Sequence, residues 1–314
     1  MRIPIKLPEK GCLPFDVVGF GLNSVDSLIL IDKHPRKNTK QQIKRFTREP
    51  GGQAATAMVA CARLGYRARY IGRFGDDENG AFGLESLRRA NVDVSVCTTV
   101  TGASTQFAVI LIDGETGDRT VLWDRDTALR TDPSNVSLDV CSGRVLLVDC
   151  HETEASTRAA HLVRAMGHPV VIDVEKVRPN IELLLREVDV IIAAEDFPSR
   201  FTGVGDIGRA LSVMSHEVPA PIICVTLGRE GTLTLVKGQE IRTLGFDVPV
   251  VDTTGAGDVF RGGFISGWFH YGVGAKVENV MTYANAAAAL NCRAVGARAG
   301  IPSADEVNRL ISTR

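Results

Sequence analysis

Residues 252–264 read Asp252-Thr253-Thr254-Gly255-Ala256-Gly257-Asp258-Val259-Phe260-Arg261-Gly262-Gly263-Phe264. An extended stretch (246–251) leads into this run, and a helix is expected to leave it over 258–271. Small residues let the backbone of a turn approach a ligand closely. The first N–H groups of the helix lack intrahelical partners, and the helix dipole favours an anion beside them. Together these make a phosphate site. Asp258 is awkward there, because a carboxylate repels phosphate. Either it caps the helix, as Asp does well, or it takes the proton of a hydroxyl that attacks the phosphate. The residues alone leave the two readings level.

Upstream, the rhythm predicts alternating strands and helices. From residue 144 the expected order is strand 145–149, helix 154–166, strand 169–173, helix 180–186, strand 188–193, helix 205–215 and strand 222–227. A hairpin (232–236 with 240–244) and helices at 277–291 and 303–311 complete this part. Such alternation predicts an α/β protein: three α/β/α layers around a mostly parallel central sheet. The first 143 residues break the rhythm. Strand 16–20 is followed by β-forming segments at 24–32 and 39–47, where a plain α/β protein would place a helix. Helix 52–64, strand 68–72, helix 79–90 and an extended 92–99 come next. Segments 106–113 and 119–124 flank Gly114-Glu115-Thr116-Gly117, a hairpin by composition. The β-rich insertions, about 23–50 and 100–125, are expected to form one small sheet lying as a lid over the substrate end. No linker or repeat appears, so residues 1–314 are expected to form a single domain.

Composition narrows the class. The 314 residues are 44% hydrophobic and 23% charged, ordinary values for a globular chain. A formal net charge of −1 gives no global attraction to nucleic acid or to anionic membranes. No apolar run reaches the roughly 18 residues of a membrane span. Residues 1–10 lack the apolar core of a signal peptide. Seven scattered cysteines without a C-x-x-C pair point to reduced thiols in a cytoplasmic protein.

The run 252–264 resembles the C-terminal signature of the ribokinase-like (PfkB) carbohydrate kinases, with every restricted position satisfied. The resemblance extends over about residues 15–312. It implies an ATP-dependent sugar kinase that uses Mg²⁺. Asp258 would be the catalytic base, with the backbone of Gly255, Ala256 and Gly257 as an anion hole. Gly51 and Gly52, before an Ala-rich helix, resemble the N-terminal signature and imply sugar binding together with Asp26. Thr226, Gly228 and Gly231 lie in a segment similar to the family's nucleotide-side strand and turn. Asn285 falls where the family packs a polar residue near adenine, although a solvated helix position is an equal reading. Asp252 and Thr254, with the loop 293–300, resemble parts of a monovalent-cation (K⁺) site. The turn 72–80 reads as the start of a helix.

Two departures shift attention to the substrate. Thr56 stands where the signature usually has Asn, and the run Ala194-Glu195-Asp196-Phe197 keeps only Glu195 of a motif that orders Mg²⁺-bound water. Residues 33–48 carry Lys33, His34, Arg36, Lys37, Lys40, Lys44, Arg45 and Arg48 between Asp32 and Glu49. This is either a charged sheet edge or an attractor for an anionic sugar such as a phosphosugar or sulfosugar. Arg119 lies where some phosphosugar kinases of the family bind substrate. The pattern Gly-Gly-x-Ala-Ala-Thr-Ala around Thr56 also resembles the sulfofructose-kinase-like branch.

Other classes fit less well. Gly19-Phe20-Gly21 is half of a dinucleotide fingerprint, but strand-like sequence follows it where that motif requires a helix. There is no Walker A pattern. A nucleoside kinase and a non-catalytic sugar sensor of the same family remain alternatives. The open lid edge would pair across a homodimer or be capped by charge.

Overall fold

The structure is a computed structural model that describes residues 1–116 and 118–313. Gly117, the last residue of the expected hairpin turn, lies outside the described residues. The central sheet has eight strands. In spatial order they are Gln239–Thr243, Thr232–Val236, Ile222–Thr226, Val190–Ala193, Val170–Val174, Gly143–Asp149, Phe15–Phe20 and Ala68–Ile71. Thr232–Val236 pairs antiparallel with both of its neighbours, and the remaining pairings are parallel. Strands such as Gly143–Asp149 and Val170–Val174 are buried at every residue, as expected of a sheet covered on both faces.

Alternate residues along the strands feed two cores. Val17, Val145 and Leu147 pack with Trp268, Phe264 and Met281 on one face. Val18, Leu146 and Val148 pack with Leu184, Leu211 and Met214 on the other. The signature helix Ala256–Tyr271 is buried from Val259 to Trp268, between helices Gln53–Arg63 and Val277–Asn291. This packing fixes the turn at its N-terminus against the sheet.

The two insertions join as expected into one four-stranded sheet, ordered Arg45–Gly51, Ser24–Ile31, Phe107–Asp113 and Arg119–Asp124. The strand expected at 39–47 lies instead at Arg45–Gly51, because its partner Ser24–Ile31 pairs from Leu30 opposite Arg45 to Ser24 opposite Gly51. Register places Asp26, Leu28, Ala108, Ile110, Val121 and Arg119 on one face of this lid. Phe46, Ile29, Leu111 and Leu122 lie on the opposite face, with Phe46 and Leu122 more than half exposed.

Some local details add to or differ from the expectations. Residues 246–251, expected as an extended stretch, belong to no helix or strand. A short helix, Phe197–Thr202, follows the Ala194–Phe197 run, with Pro198 in its first turn. Within 92–99 only Thr98–Val100 is a strand, and it pairs with Arg73–Gly75 in a separate two-stranded sheet. The turn 72–80 does start a helix, with Asp77 capping Glu78–Arg89 by accepting the Gly80 N–H at 2.8 Å. No helix among the described residues is long and apolar enough to cross a membrane.

Candidate active site

Parallel sheets bind ligands at the carboxyl ends of their strands. Here those ends carry Leu22, Asp149, Asp173, Ala193 and Thr226, and the signature turn faces the same edge. Gly255 caps the signature helix at φ 73°, in the left-handed region. A Cβ there would stand 2.6–2.8 Å from Ala297, so glycine is required by backbone conformation and by space. The first helical bond runs from the Val259 N–H to the Gly255 carbonyl (2.9 Å), and the Ala256 N–H closes on the Thr253 carbonyl (3.2 Å). The Gly257 and Asp258 N–H groups belong to the same first turn.

Asp258 is only partly exposed. Burial raises its pKa well above the usual carboxylate range, and the charges of Asp173 and Glu175 push the same way; Arg261 and Arg298 oppose them. Behind it, Arg261 and Asp173 form a buried ion pair at 2.9 Å, and Arg261 also donates to the Ile192 carbonyl. Burial raises Asp173 as well, against the pull of Arg261. A carboxylate with a raised pKa, held at a helix start that favours anions, suits proton transfer better than helix capping.

On the lid side, Asp26 accepts a hydrogen bond from Ser24 Oγ (3.0 Å), and burial raises its pKa. Gly51 lies so close that a Cβ would stand 2.3 Å from the Asp26 carboxylate. Gly52 caps helix Gln53–Arg63. Thr56, expected among the sugar-binding residues, is fully buried. Its Oγ1 accepts from Arg298 Nε (3.1 Å), while Arg298 also donates to the Gly51 carbonyl (2.7 Å) and Ser86 Oγ (3.0 Å). Burial lowers Arg298 to about 10, and the nearby charges of Asp258 and Asp26 pull it back up. One guanidinium therefore ties the Gly-Gly segment to the loop after Val277–Asn291 and shares its charge between two candidate site carboxylates. Arg298 was not singled out in the sequence. The signal was there: an arginine in a small-residue loop, and Thr56 at an Asn position.

On the other side of the turn lies a cleft lined by Thr226, Gly228, Gly231, Asn285, Ala256 and Gly257. All four expected nucleotide-side residues line this one cavity, next to the signature turn. Asn285 is buried rather than solvated, and its Nδ2 donates to the carbonyls of Thr243 (3.4 Å) and Leu244 (3.3 Å).

Asp252 and Thr254 are brought together, but they face each other. Asp252 accepts from the Thr254 N–H (2.9 Å), Thr254 Oγ1 (2.7 Å) and the Gly296 N–H (2.8 Å). Burial pushes Asp252 up, but these bonds outweigh it and hold its pKa below the usual value. Arg119 reaches over from the lid to donate to Thr254 Oγ1 (2.9 Å) and Thr253 Oγ1 (3.3 Å), and stands 4.0 Å from Asp252. It therefore lies at the signature turn. Several basic groups of 33–48 are committed elsewhere: Lys33 to Glu115, Lys44 to Asp32, and Arg48 to Asn79 and the Phe82 ring. Glu195 and Asp196 are exposed at the end of strand Val190–Ala193, with Asp196 paired to Arg200.

The family model described as pfkB family carbohydrate kinase matches residues 16–304. The chain belongs to that family. It is a phosphotransferase acting on an alcohol group. An ATP-dependent ribose-1-phosphate kinase from Halopiger xanaduensis is 28% identical over 303 residues, covering 95% of this chain and 98% of that protein. A ribokinase from Bacillus subtilis is 26% identical over 294 residues, covering 93% and 98%. The structure of Arabidopsis thaliana ribokinase complexed with ribose and ATP superposes with a TM-score of 0.84 at 24% identity, covering 95% of this chain and 98% of that one. This last likeness establishes the ribokinase-like fold.

Proposed function

We propose that this pfkB-family member is an ATP-dependent sugar kinase in which Asp258 is the general base. The observation that carries the reading is Asp258 itself, a carboxyl with a raised pKa in the first turn of the signature helix. On one side it is flanked by the cleft of Thr226, Gly228 and Asn285, and on the other by Asp26 and Arg298. Asp26 and the backbone of Gly51 and Gly52 hold the acceptor sugar. Asp258 takes the proton as the acceptor hydroxyl attacks the γ-phosphoryl group. The N–H groups of the turn, with Arg119 beside them, stabilise the charge that develops on that group.

Mg²⁺ would neutralise charge on the ATP phosphates. No group of three metal-ligating side chains exists among the described residues, which fits a metal held by phosphates and water. Glu195 is the exposed carboxylate suited to hold such a water. A monovalent cation fits poorly at Asp252 and Thr254, whose oxygens are taken up by internal donors and whose neighbouring charge is Arg119. A homodimer through the lid is expected from its open strand edge, and the exposed apolar outer face around Phe46 and Leu122 supports that reading. Seven free thiols, four of them buried, suit a reducing cytoplasm.

An ADP-release screen over neutral sugars, sugar acids, phosphosugars, sulfosugars and nucleosides tests the reading. Turnover confined to nucleosides, or none in any class, would overturn it.

A further inference from the structure

Beside the reaction centre is a second cavity of about 410 Å³, lined by Trp123, Arg125, Arg130, His151, Glu152 and Arg178 among others. Its size is within the range of small-molecule sites. Its walls come from the lid strand Arg119–Asp124, the segment after it, and the loops that follow strands Gly143–Asp149 and Val170–Val174. It opens at the same sheet edge as Asp258. Glu175 links the two places: it lies 3.9 Å from His151 Nε2, and its charge also acts on Asp258.

The charges in this cavity are unevenly committed. Glu152 pairs with Arg125 and accepts the Thr131 N–H at 3.0 Å. Asp126 accepts the N–H groups of Ala128 (2.9 Å) and Ser104 (3.1 Å), and Glu154 accepts from Asn180 (3.3 Å). Arg178 has a different kind of partner. Its Nη2 meets His151 Nδ1 at 3.3 Å, and its buried Nε has no hydrogen-bond partner. Burial and the Arg178 charge push His151 down to about 4, so the imidazole is neutral at pH 7 and offers no countercharge to Arg178. Arg130 stands exposed at the rim. Trp123 is 60% exposed over the same cavity, an apolar ring face of the kind sugars stack on.

We propose that this cavity receives the end of the acceptor sugar remote from the phosphorylated hydroxyl, that this end carries an oxyanion group, and that Arg178 binds it with Arg130 at the rim and Trp123 against the sugar. The proposal rests on the sugar-kinase reading and deepens it. It moves anion recognition away from residues 33–48 and Arg119, because Arg119 is occupied at the phosphate turn. A charge-assisted hydrogen bond to an oxyanion has the strength to change kcat/KM by about tenfold or more.

The test compares matched acceptors: ribose with ribose 1-phosphate, fructose with its 6-sulfonate analogue, and glucose with gluconate. Specificity constants are measured for the parent, Arg178→Met, Arg178→Lys and Arg130→Met, with folding checked by thermal melts. The parent should favour the anionic member of at least one pair. Arg178→Met should lower that preference at least tenfold while leaving the neutral member within threefold, and Arg178→Lys should restore part of it. If Arg178→Met does not fold, Arg130→Met carries the test with a smaller loss. Equal loss on both members, or a parent that favours neutral sugars throughout, overturns the proposal. If no acceptor releases ADP, the kinase reading fails separately. Calorimetry with ribose 1-phosphate then decides this site alone: binding that is lost in Arg178→Met supports it, and absent or unchanged binding overturns it.

Discussion

In the proposed function a donor half and an acceptor half meet at Asp258, and they are built in different ways. The donor half is mainly backbone and small residues: the turn at Gly255–Gly257, with Gly228, Gly231 and Thr226 across the cleft. The acceptor half is made of long polar and charged side chains from distant segments: Asp26, Arg298, Glu175, His151 and Arg178. Backbone geometry demands particular residue types at particular spacings, because only glycine tolerates positive φ or a close approach. Charged side chains reach a common point from many positions. The donor half therefore carries a chemistry the whole family can share, while the acceptor half is free to set the substrate.

The comparison breaks first at Asp258, which belongs to both halves. Asp258→Asn should lower kcat at least ~10²-fold while nucleotide affinity stays within several-fold of the parent. Steady-state kinetics with nucleotide titrations check this, and near-parental turnover removes Asp258 as the base. Gly255→Ala probes the donor half alone. The added methyl meets Ala297, so kcat should fall ~10–10²-fold as the turn is displaced, with acceptor KM little changed. A rise confined to acceptor KM would mean that the halves are not separable.

Arg298→Ala probes the acceptor half. It removes two hydrogen bonds to the Gly51–Thr56 segment and one to Ser86, and should raise acceptor KM by about tenfold and lower the melting temperature, with nucleotide KM unchanged. Glu175→Gln is the mildest change. Asp258 acts as a carboxylate, so the rate falls as pH drops through its raised pKa. The negative charge of Glu175 helps to raise that pKa, so its removal should move the acid limb of kcat/KM to lower pH. An unmoved limb would separate Glu175 from the base.

The same contrast explains what could be read from the chain. The layered sheet follows from runs such as Val145–Val148, apolar at successive residues, and the signature turn follows from its glycines. The lid was legible as strands where helices were due. Its register was not, because residues 39–47 are polar on both faces and alternation gives no anchor there. Thr56 read as a lost sugar contact, yet it serves as the acceptor for Arg298, a partner 242 residues away. His151, Glu175 and Arg178 belong to no motif, and only the parallel pairing of strands Gly143–Asp149 and Val170–Val174 brings their loops together. Arg119 was legible as a cation near substrate, but its place at Thr253 and Thr254 depends on how the lid lies over the turn.

The lid is fastened unequally at its two ends. At Gly51 the half-buried Arg298 grips the strand end, Thr56 and Ser86 together, through bonds that are only partly open to water. At the far edge Arg119 meets two threonine hydroxyls, and that contact is open to solvent. The sheet is thus hung like a door, with its hinge beside the Gly-Gly helix and its latch on the signature turn. A phosphoryl group held at that turn, as proposed, would touch the latch and so join its own state to the position of the lid.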